Sequence, residues 1–389
     1  MKIQTNFNEH FIFCGAQIGG AQIDLQVLDG NGNVVADAPT YLQINDIKQM
    51  YERWTVGETP GQAPASVAVK AVDGVTTAFQ YTLPQDTNTP YILLVHGWNL
   101  ETWEKDRFAE SAFKRLYWQG YHGRFGSFRW PTAFDFTGSF SDLIFDPKNF
   151  DNSEYAAWQS ATGLTNLLSK LNAEYPGQVY LMAHSMGNVV AGEALRLAGA
   201  NQVANTYVAM QAAISAHCYD PSTVNYATPT PPDRYAQYPT NSGSCYFNGS
   251  VGAGTYVNFF NTNDYALSKW LTDQGFKPDA GYGYSSTFDA WYQGSLFSGD
   301  PLLFPRDTYQ IFSYVDPAWS YALGAQLNVG GVFKVNGVYQ QVNLPNVWPP
   351  DTSGHSYGDH IWHSAEFRSD YAQSTLFWNK LLQTMGLKN

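Results

Sequence analysis

Gln178-Val-Tyr-Leu-Met-Ala183 runs into His184-Ser185-Met186-Gly187 and then into Asn188-Val-Val-Ala-Gly-Glu-Ala-Leu-Arg-Leu197. The first stretch is an apolar run of strand length, and Gly187 to Leu197 reads as a helix. A serine at such a junction sits on a sharp strand-to-helix turn. Its backbone is strained and its hydroxyl projects from the sheet edge. The turn draws together the positions two before and two after the serine, so both must be small; here they are Ala183 and Gly187. The helix N-terminus beneath adds positive potential, which favours developing negative charge. Ser185 is therefore the candidate nucleophile.

Outward from this junction, strands and helices alternate. Tyr91 to Val95 is a continuous apolar run, as expected of a strand buried on both sheet faces. Glu104 to Tyr117 is amphipathic and helical, Arg124 to Trp130 returns as a strand, and Asn152 to Tyr175 forms a long helix. Thr206 to Ile214 and Thr255 to Phe260 are further strands, and Ala365 to Met385 is the last helix. The pattern predicts an α/β fold with a mostly parallel sheet flanked by helices. Two Tyr-, Gly-, Ser- and Pro-rich insertions, at about 217–253 and 272–349, are expected to lie over the strand ends and shape a pocket.

Residues 1–75 differ. Ala21 to Leu28 alternates at period two, Asp29-Gly-Asn-Gly32 turns the chain, and Asn33-Val-Val-Ala36 returns, which is a hairpin signal. A calcium loop starting at Asp29 fails, because its sixth position is Val34 and its twelfth is Thr40. A short amphipathic piece, Ile44 to Trp54, and a Gly/Pro/Ala linker, Gly57 to Ser66, follow. The expected organisation is a small sandwich-like N-terminal β module with its linker over 1–75, then the α/β domain over 76–389. Val67 to Leu83 reads equally as the first strands of either part.

Composition narrows the function classes. The 389 residues carry 33 acidic and 21 basic side chains, a formal charge of −12, so no basic face is available for nucleic acid. With 44% hydrophobic and 14% charged residues the chain builds a large core and is not disordered. No window approaches the length of a transmembrane helix. The N-terminus lacks the profile of a signal peptide, while scarce lysine and abundant Tyr, Trp, Asn and Gly suggest a secreted bacterial protein. Any export signal is then expected to lie outside this sequence. Three cysteines, Cys14, Cys218 and Cys245, are too few for a disulfide scaffold. Cys218 and Cys245 flank one loop, where a disulfide would staple the insertion; two unrelated buried thiols are the other reading.

Ala183-His184-Ser185-Met186-Gly187 resembles the nucleophile elbow of the α/β-hydrolase superfamily, with alanine in place of the commoner first glycine, as in some small bacterial lipases. The resemblance covers about Thr77 to Asn389 and implies an α/β-hydrolase fold. It also implies that His96-Gly97-Trp98, directly after the Tyr91 to Val95 strand, supplies an oxyanion-hole amide from Trp98, with Met186 as the second donor. His96 itself is read as bonding the loop, and the Trp98 side chain either lines an acyl pocket or packs. Ile47-Lys-Gln-Met-Tyr-Glu-Arg-Trp-Thr-Val-Gly57 and Tyr117-Trp-Gln-Gly-Tyr-His-Gly-Arg-Phe-Gly-Ser-Phe-Arg-Trp-Pro-Thr132 resemble hydrolase modules at the end of large exported bacterial multidomain proteins.

The superfamily's chain order is serine, then acid, then histidine. Asp264 follows the Thr255 to Phe260 strand, where the acid belongs, and Asp220 after the preceding strand is the runner-up. Asp264 also reads as the N-cap of a helix, and both roles coexist only if its carboxylate faces the histidine. His363 is preferred as the base, at the start of the last helix with Glu366 as its capping partner; His355 and His360 are the alternatives. The three histidines with Asp351 and Asp359 could hold zinc in principle, but their spacing lacks a helical ligand face, and no metal is expected. No cofactor is implied. The expected activity is hydrolysis of small or polymeric carboxylic esters by a Ser-His-Asp triad. A peptidase or amidase with the same triad, or a non-catalytic surface-binding module, are the alternatives. The aromatic-rich insertions suit a hydrophobic acyl group, polyesters included, or form the packed core of a lid. The N-terminal module is expected to contact further domains or a surface.

Overall fold

The computed structural model describes residues 19–44, 46–57, 70–71, 87–98, 100–132, 147–214, 219, 252–262, 264–268, 322–325, 339–346, 360–367 and 375–388. The chain divides into two units, Met1–Met50 and Tyr51–Asn389. In the first, β1 (Gly19–Leu28) and β2 (Val34–Ile44) pair antiparallel. The hairpin turn falls where Asp29-Gly-Asn-Gly32 places it. Asp29 Oδ1 accepts the amides of Asn31 and Asn33 at 2.8 and 2.9 Å, which closes the turn with a side chain of its own.

Among its described residues the second unit holds an eight-stranded sheet. In chain order its strands are β3 (Glu52–Thr55), β4 (Lys70–Ala71), β5 (Tyr91–Val95), β6 (Arg124–Arg129), β7 (Val179–His184), β8 (Ala204–Met210), β9 (Ala253–Phe260) and β10 (Tyr339–Asn343). Across the sheet they lie in the order β10-β9-β8-β7-β5-β6-β3-β4. Seven run parallel, and β4 lies antiparallel to β3 at the edge.

Two of these strands depart from the sequence expectation. Glu52–Thr55 lies on the N-terminal side of the division expected near residue 75, yet it pairs parallel with β6. The Tyr91 hydroxyl explains the attachment: it donates to Glu52 at 2.5 Å and accepts from Trp54 Nε1 at 3.1 Å, so the small strand is pinned to the sheet's centre. The unit boundary therefore falls between Met50 and Tyr51. Tyr339–Asn343, inside the second insertion, extends the sheet beside β9 instead of lying over the strand ends.

The helices are α1 (Thr102–Trp118), α2 (Pro147–Glu174), α3 (Gly187–Leu197), α4 (Tyr265–Ser268) and α5 (Thr375–Thr384). Strand side chains alternate between faces. Tyr91, Leu93 and Val95 of β5 and Val179, Leu181 and Ala183 of β7 share one core cluster with Leu164, Leu167, Leu168 and Leu171 of α2 and with Val189 and Val190 of α3. Ile92, Leu94 and Met182 are equally buried on the other face. There the Phe377 ring of α5 meets the Phe259 ring of β9 edge-on at 5.4 Å. Covered on both faces, the central strands read as continuous apolar runs. No helix among the described residues is long and apolar enough to cross a membrane.

Chain order reverses on either side of β5, which is flanked by β6 and β7. In an open parallel sheet the carboxyl ends of strands at such a point frame a crevice. Val95 is in register with Ala183. The residues after them, His96-Gly97 and His184-Ser185, are thus forced together.

Candidate active site

Ser185 has φ +52°, the left-handed region that a non-glycine residue rarely adopts. Main-chain bonds hold it there: its amide donates to Met210 O at 3.0 Å, and its carbonyl accepts from the amides of Asn188 and Ala213 at 3.1 Å each. Below the elbow is a fully buried polar chain. Asn188 Nδ2 donates to Ser185 O at 2.8 Å, and the Tyr207 hydroxyl donates to Asn188 Oδ1 at 2.6 Å and lies 3.2 Å from the Tyr219 hydroxyl. The smallness of position 187 has a specific cause. A Cβ on Gly187 would stand 2.8 Å from Val95 O and closer still to His96 O, because β5 ends against it. Gly97 is confined in the same way, since a Cβ there would stand 2.9 Å from Ser185 Cβ.

Three side chains that the sequence separates widely form one hydrogen-bonded row. His363 Nε2 lies 3.0 Å from Ser185 Oγ, and His363 Nδ1 lies 3.0 and 2.9 Å from the two carboxylate oxygens of Asp264. Asp264 is fully buried. Its Oδ1 also accepts the amides of Ala266 and Leu267, at 3.0 and 3.1 Å, and its Oδ2 accepts Gln211 Nε2 at 2.8 Å. The same carboxylate thus caps α4 and faces the histidine, the combination on which the sequence reading depended. Burial alone would raise the Asp264 pKa, but the facing His363 and the bonds from Leu267 and Gln211 hold it below the ordinary carboxylate range. An ionised Asp264 fixes the imidazole proton on Nδ1 and leaves Nε2 bare toward Ser185.

Gln211 and His184 belong to this assembly, although sequence reasoning gave neither a role. Gln211 has φ +44° and is fully buried just beyond β8, which aims its amide at Asp264. His184 Nε2 lies 2.7 Å from the main-chain carbonyl of His363. A single residue with left-handed backbone after a strand leaves no signature in the sequence, so Gln211 was not legible.

The loop after β5 is ordered from beneath. His96 Nδ1 donates to Gly97 O at 2.8 Å, Nε2 accepts from the Trp130 amide at 3.3 Å, and the ring stacks on Trp130 with centroids 5.4 Å apart. Burial, with the Lys105 ammonium nearby, pushes the His96 pKa well below its usual value, so the ring stays neutral. This is the loop-bonding role expected of it. With the Gly97 carbonyl turned toward His96, peptide planarity sends the Trp98 N–H to the opposite side. The Trp98 side chain is partly buried against the main core cluster. Met186, at the start of α3, is fully buried.

His355, Asp220, Cys14, Cys218 and Cys245 lie outside the described residues, as do Asp351 and Asp359, and the side chain of His360 is likewise not described. The last helix corrects the expectation. His363 lies within a 3-10 segment, His360–Phe367, kinked at Ser364 (φ −144°, ψ 27°), and the regular helix described beyond it spans Thr375–Thr384. Glu366 does not cap a helix start. Its carboxyl is fully buried with no hydrogen-bond partner among the described residues, and Trp378 Nε1 donates to its main-chain carbonyl at 3.1 Å. The aromatic residues around it (Phe367 and Trp378, with ring centroids 5.8 Å apart) make protonation cheaper than ionisation.

Burial, with the Asp264 charge adding to it, raises the Glu366 pKa from 4.5 to about 8. A carboxyl whose folded pKa is raised contributes stability that is complete below its unfolded pKa and lost as pH rises through the folded one. Glu366→Gln is therefore expected to gain on the wild type as pH rises from 5 to about 8, by on the order of 4 kcal/mol in all, and to gain no more above that. Urea unfolding of both proteins at pH 5, 7 and 9 measures it; a constant difference across that range would remove the buried acid.

Residues 72–216 match a family model described as an alpha/beta hydrolase of unknown function (DUF900). The match spans β5 to the end of β8, including His96-Gly97-Trp98 and the Ser185 elbow, and stops short of Asp264 and His363. No curated protein matches the chain. The parallel sheet flanked by helices, the strand-to-helix elbow at its switch point and this family match over residues 72–216 agree on an α/β-hydrolase fold.

Proposed function

We propose that the chain is a serine hydrolase of carboxylic esters. The observation behind the reading is the row Ser185 Oγ, His363 Nε2, His363 Nδ1, Asp264, with separations of 2.9 to 3.0 Å, at a left-handed elbow. As Ser185 Oγ attacks the ester carbonyl, His363 Nε2 takes its proton, and Asp264 stabilises the resulting imidazolium. The amides of Met186 and Trp98 receive the oxyanion, each worth on the order of 3 kcal/mol to the transition state. Collapse passes the proton from His363 to the leaving alkoxide and leaves the acyl group on Ser185. Water, deprotonated by His363, then releases the acid.

Ester hydrolysis is preferred over amide hydrolysis by analogy with the commonest chemistry of this scaffold; fold does not fix substrate. An extracellular setting is part of the proposal, on the composition of the chain.

The test is hydrolysis of p-nitrophenyl esters from acetate to palmitate, run beside labelling by a fluorophosphonate with the modified residue located by mass spectrometry. Expected are ester turnover and one phosphonyl group on Ser185. Labelling without ester turnover, accompanied by cleavage of aryl amides, would convert the reading to an amidase. Neither labelling nor turnover would leave the binding-module alternative.

A further inference from the structure

His184 is the residue immediately before the nucleophile, and its ring reaches out of the elbow to the segment that supplies the base. Nε2 lies 2.7 Å from the carbonyl oxygen of His363. A carbonyl only accepts, so the ring proton sits on Nε2 and Nδ1 is left bare. Nδ1 has no hydrogen-bond partner among the described residues and faces Gly97, where a Cβ would come within 3.1 Å of it. The ring is wedged among aromatic neighbours, with centroids 5.9 Å from Phe108, 5.3 Å from Phe367 and 5.0 Å from His363 itself. Burial, and next the neighbouring His363, push the His184 pKa down to about 3, so the ring keeps this single donor at any working pH. That matters during turnover, when His363 becomes cationic beside it.

The segment His184 grips needs holding. The 3-10 run His360–Phe367 is broken at Ser364, so the helix alone does not fix the direction of the His363 side chain. Asp264 restrains the imidazole at Nδ1, and Ser185 meets it at Nε2. Neither bond fixes the main chain that carries the ring. The His184 bond does so, and it originates on the residue bonded to Ser185.

We propose that His184 is a positioning residue, whose Nε2–H bond to the His363 carbonyl locks the base segment to the nucleophile elbow and sets the approach of His363 Nε2 to Ser185 Oγ. The inference rests on the serine-hydrolase reading above and adds a residue to it. A misplacement of the base by about 1 Å lowers the chemical step roughly 100-fold, while leaving substrate binding largely intact.

Three variants test it. His184→Phe keeps a ring against Phe108 and Phe367 without the donor; His184→Asn is too short to reach the carbonyl; His184→Gln places an amide donor near the Nε2 position. Each is assayed for ester kcat and KM, for the rate of fluorophosphonate labelling, and for thermal midpoint. The Phe and Asn variants are expected to lose about 10- to 100-fold in both kcat and labelling rate with KM within about twofold, and the Gln variant to recover to within about threefold of wild type. If Phe fails to fold, the Asn and Gln pair gives the same contrast.

Wild-type kcat in Phe or Asn would overturn the proposal. So would a loss in Gln equal to that in Phe or Asn and tracking the thermal midpoint, since that is simple packing. A wild-type protein that neither labels at Ser185 nor turns over esters fails the hydrolase reading itself, and this proposal falls with it. A wild type that labels at Ser185, with Phe labelling equally fast, fails His184 alone.

Discussion

Ser185→Ala is expected to lower kcat/KM for a p-nitrophenyl ester by roughly 10⁵-fold or more, with the fold unchanged. The size follows from what the substitution removes and what it leaves. Alanine keeps the Cβ, so the strained φ of +52° costs about what it did before, and the contact with Gly97 is the same. The main-chain bonds to Met210, Asn188 and Ala213 do not involve the hydroxyl. Among the described residues only one side-chain bond is lost, the 3.0 Å contact with His363. Thermal unfolding is therefore expected to shift by no more than a few degrees, which separates chemistry from folding. The residual rate would come from the two oxyanion amides and from His363 acting on water directly. Activity within tenfold of wild type would mean that another nucleophile, or a metal-bound water, performs the reaction.

The parts of the site that the sequence made legible are those whose physics is local. Tyr91–Val95 and Val179–His184 are covered on both faces, and an apolar run is the only way to satisfy that. Gly187 follows from the closeness of the β5 end, and Asp264 from its place between a strand and a short helix. What escaped depends on distant partners. Glu52–Thr55 is only four residues long, too short for a periodic signal, and joins the sheet through Tyr91, 39 positions away from Glu52. Tyr339–Asn343 lies deep in a loop-like stretch and gains its identity only by pairing with β9. Glu366 looked like a capping residue because it stands three residues after His363, at the expected helix start; its burial beside Phe367 and Trp378 is set by how the last helix packs. His184 is the instructive intermediate. Its position in the elbow was plain, but its bond reaches 179 residues along the chain.

Asp264→Asn is expected to reduce kcat by about 10⁴-fold with little change in KM, through the tautomer of His363 and not through its position. An asparagine oxygen at the Oδ1 site still accepts the Ala266 and Leu267 amides, so the α4 cap survives. The amide nitrogen then takes the Oδ2 site, 2.9 Å from His363 Nδ1 and 2.8 Å from Gln211 Nε2. The Oδ1 site, 3.0 Å from His363 Nδ1, is already taken by the two main-chain amides, and two donors cannot face each other at the Oδ2 site, so His363 is driven to present a bare Nδ1 and carry its proton on Nε2. That proton points at Ser185 Oγ, and the ring can no longer act as a base. A construction of this kind fails as a unit, so the Ser185→Ala/Asp264→Asn double variant is expected to lose no more than Ser185→Ala alone. Single-variant losses that multiplied in the double variant would show that Asp264 stabilises something other than the Ser185–His363 pair. Retention of activity within tenfold by Asp264→Asn would move the acid to Asp220. The carboxylate that caps α4 would then be structural, and the His363 bond to it incidental.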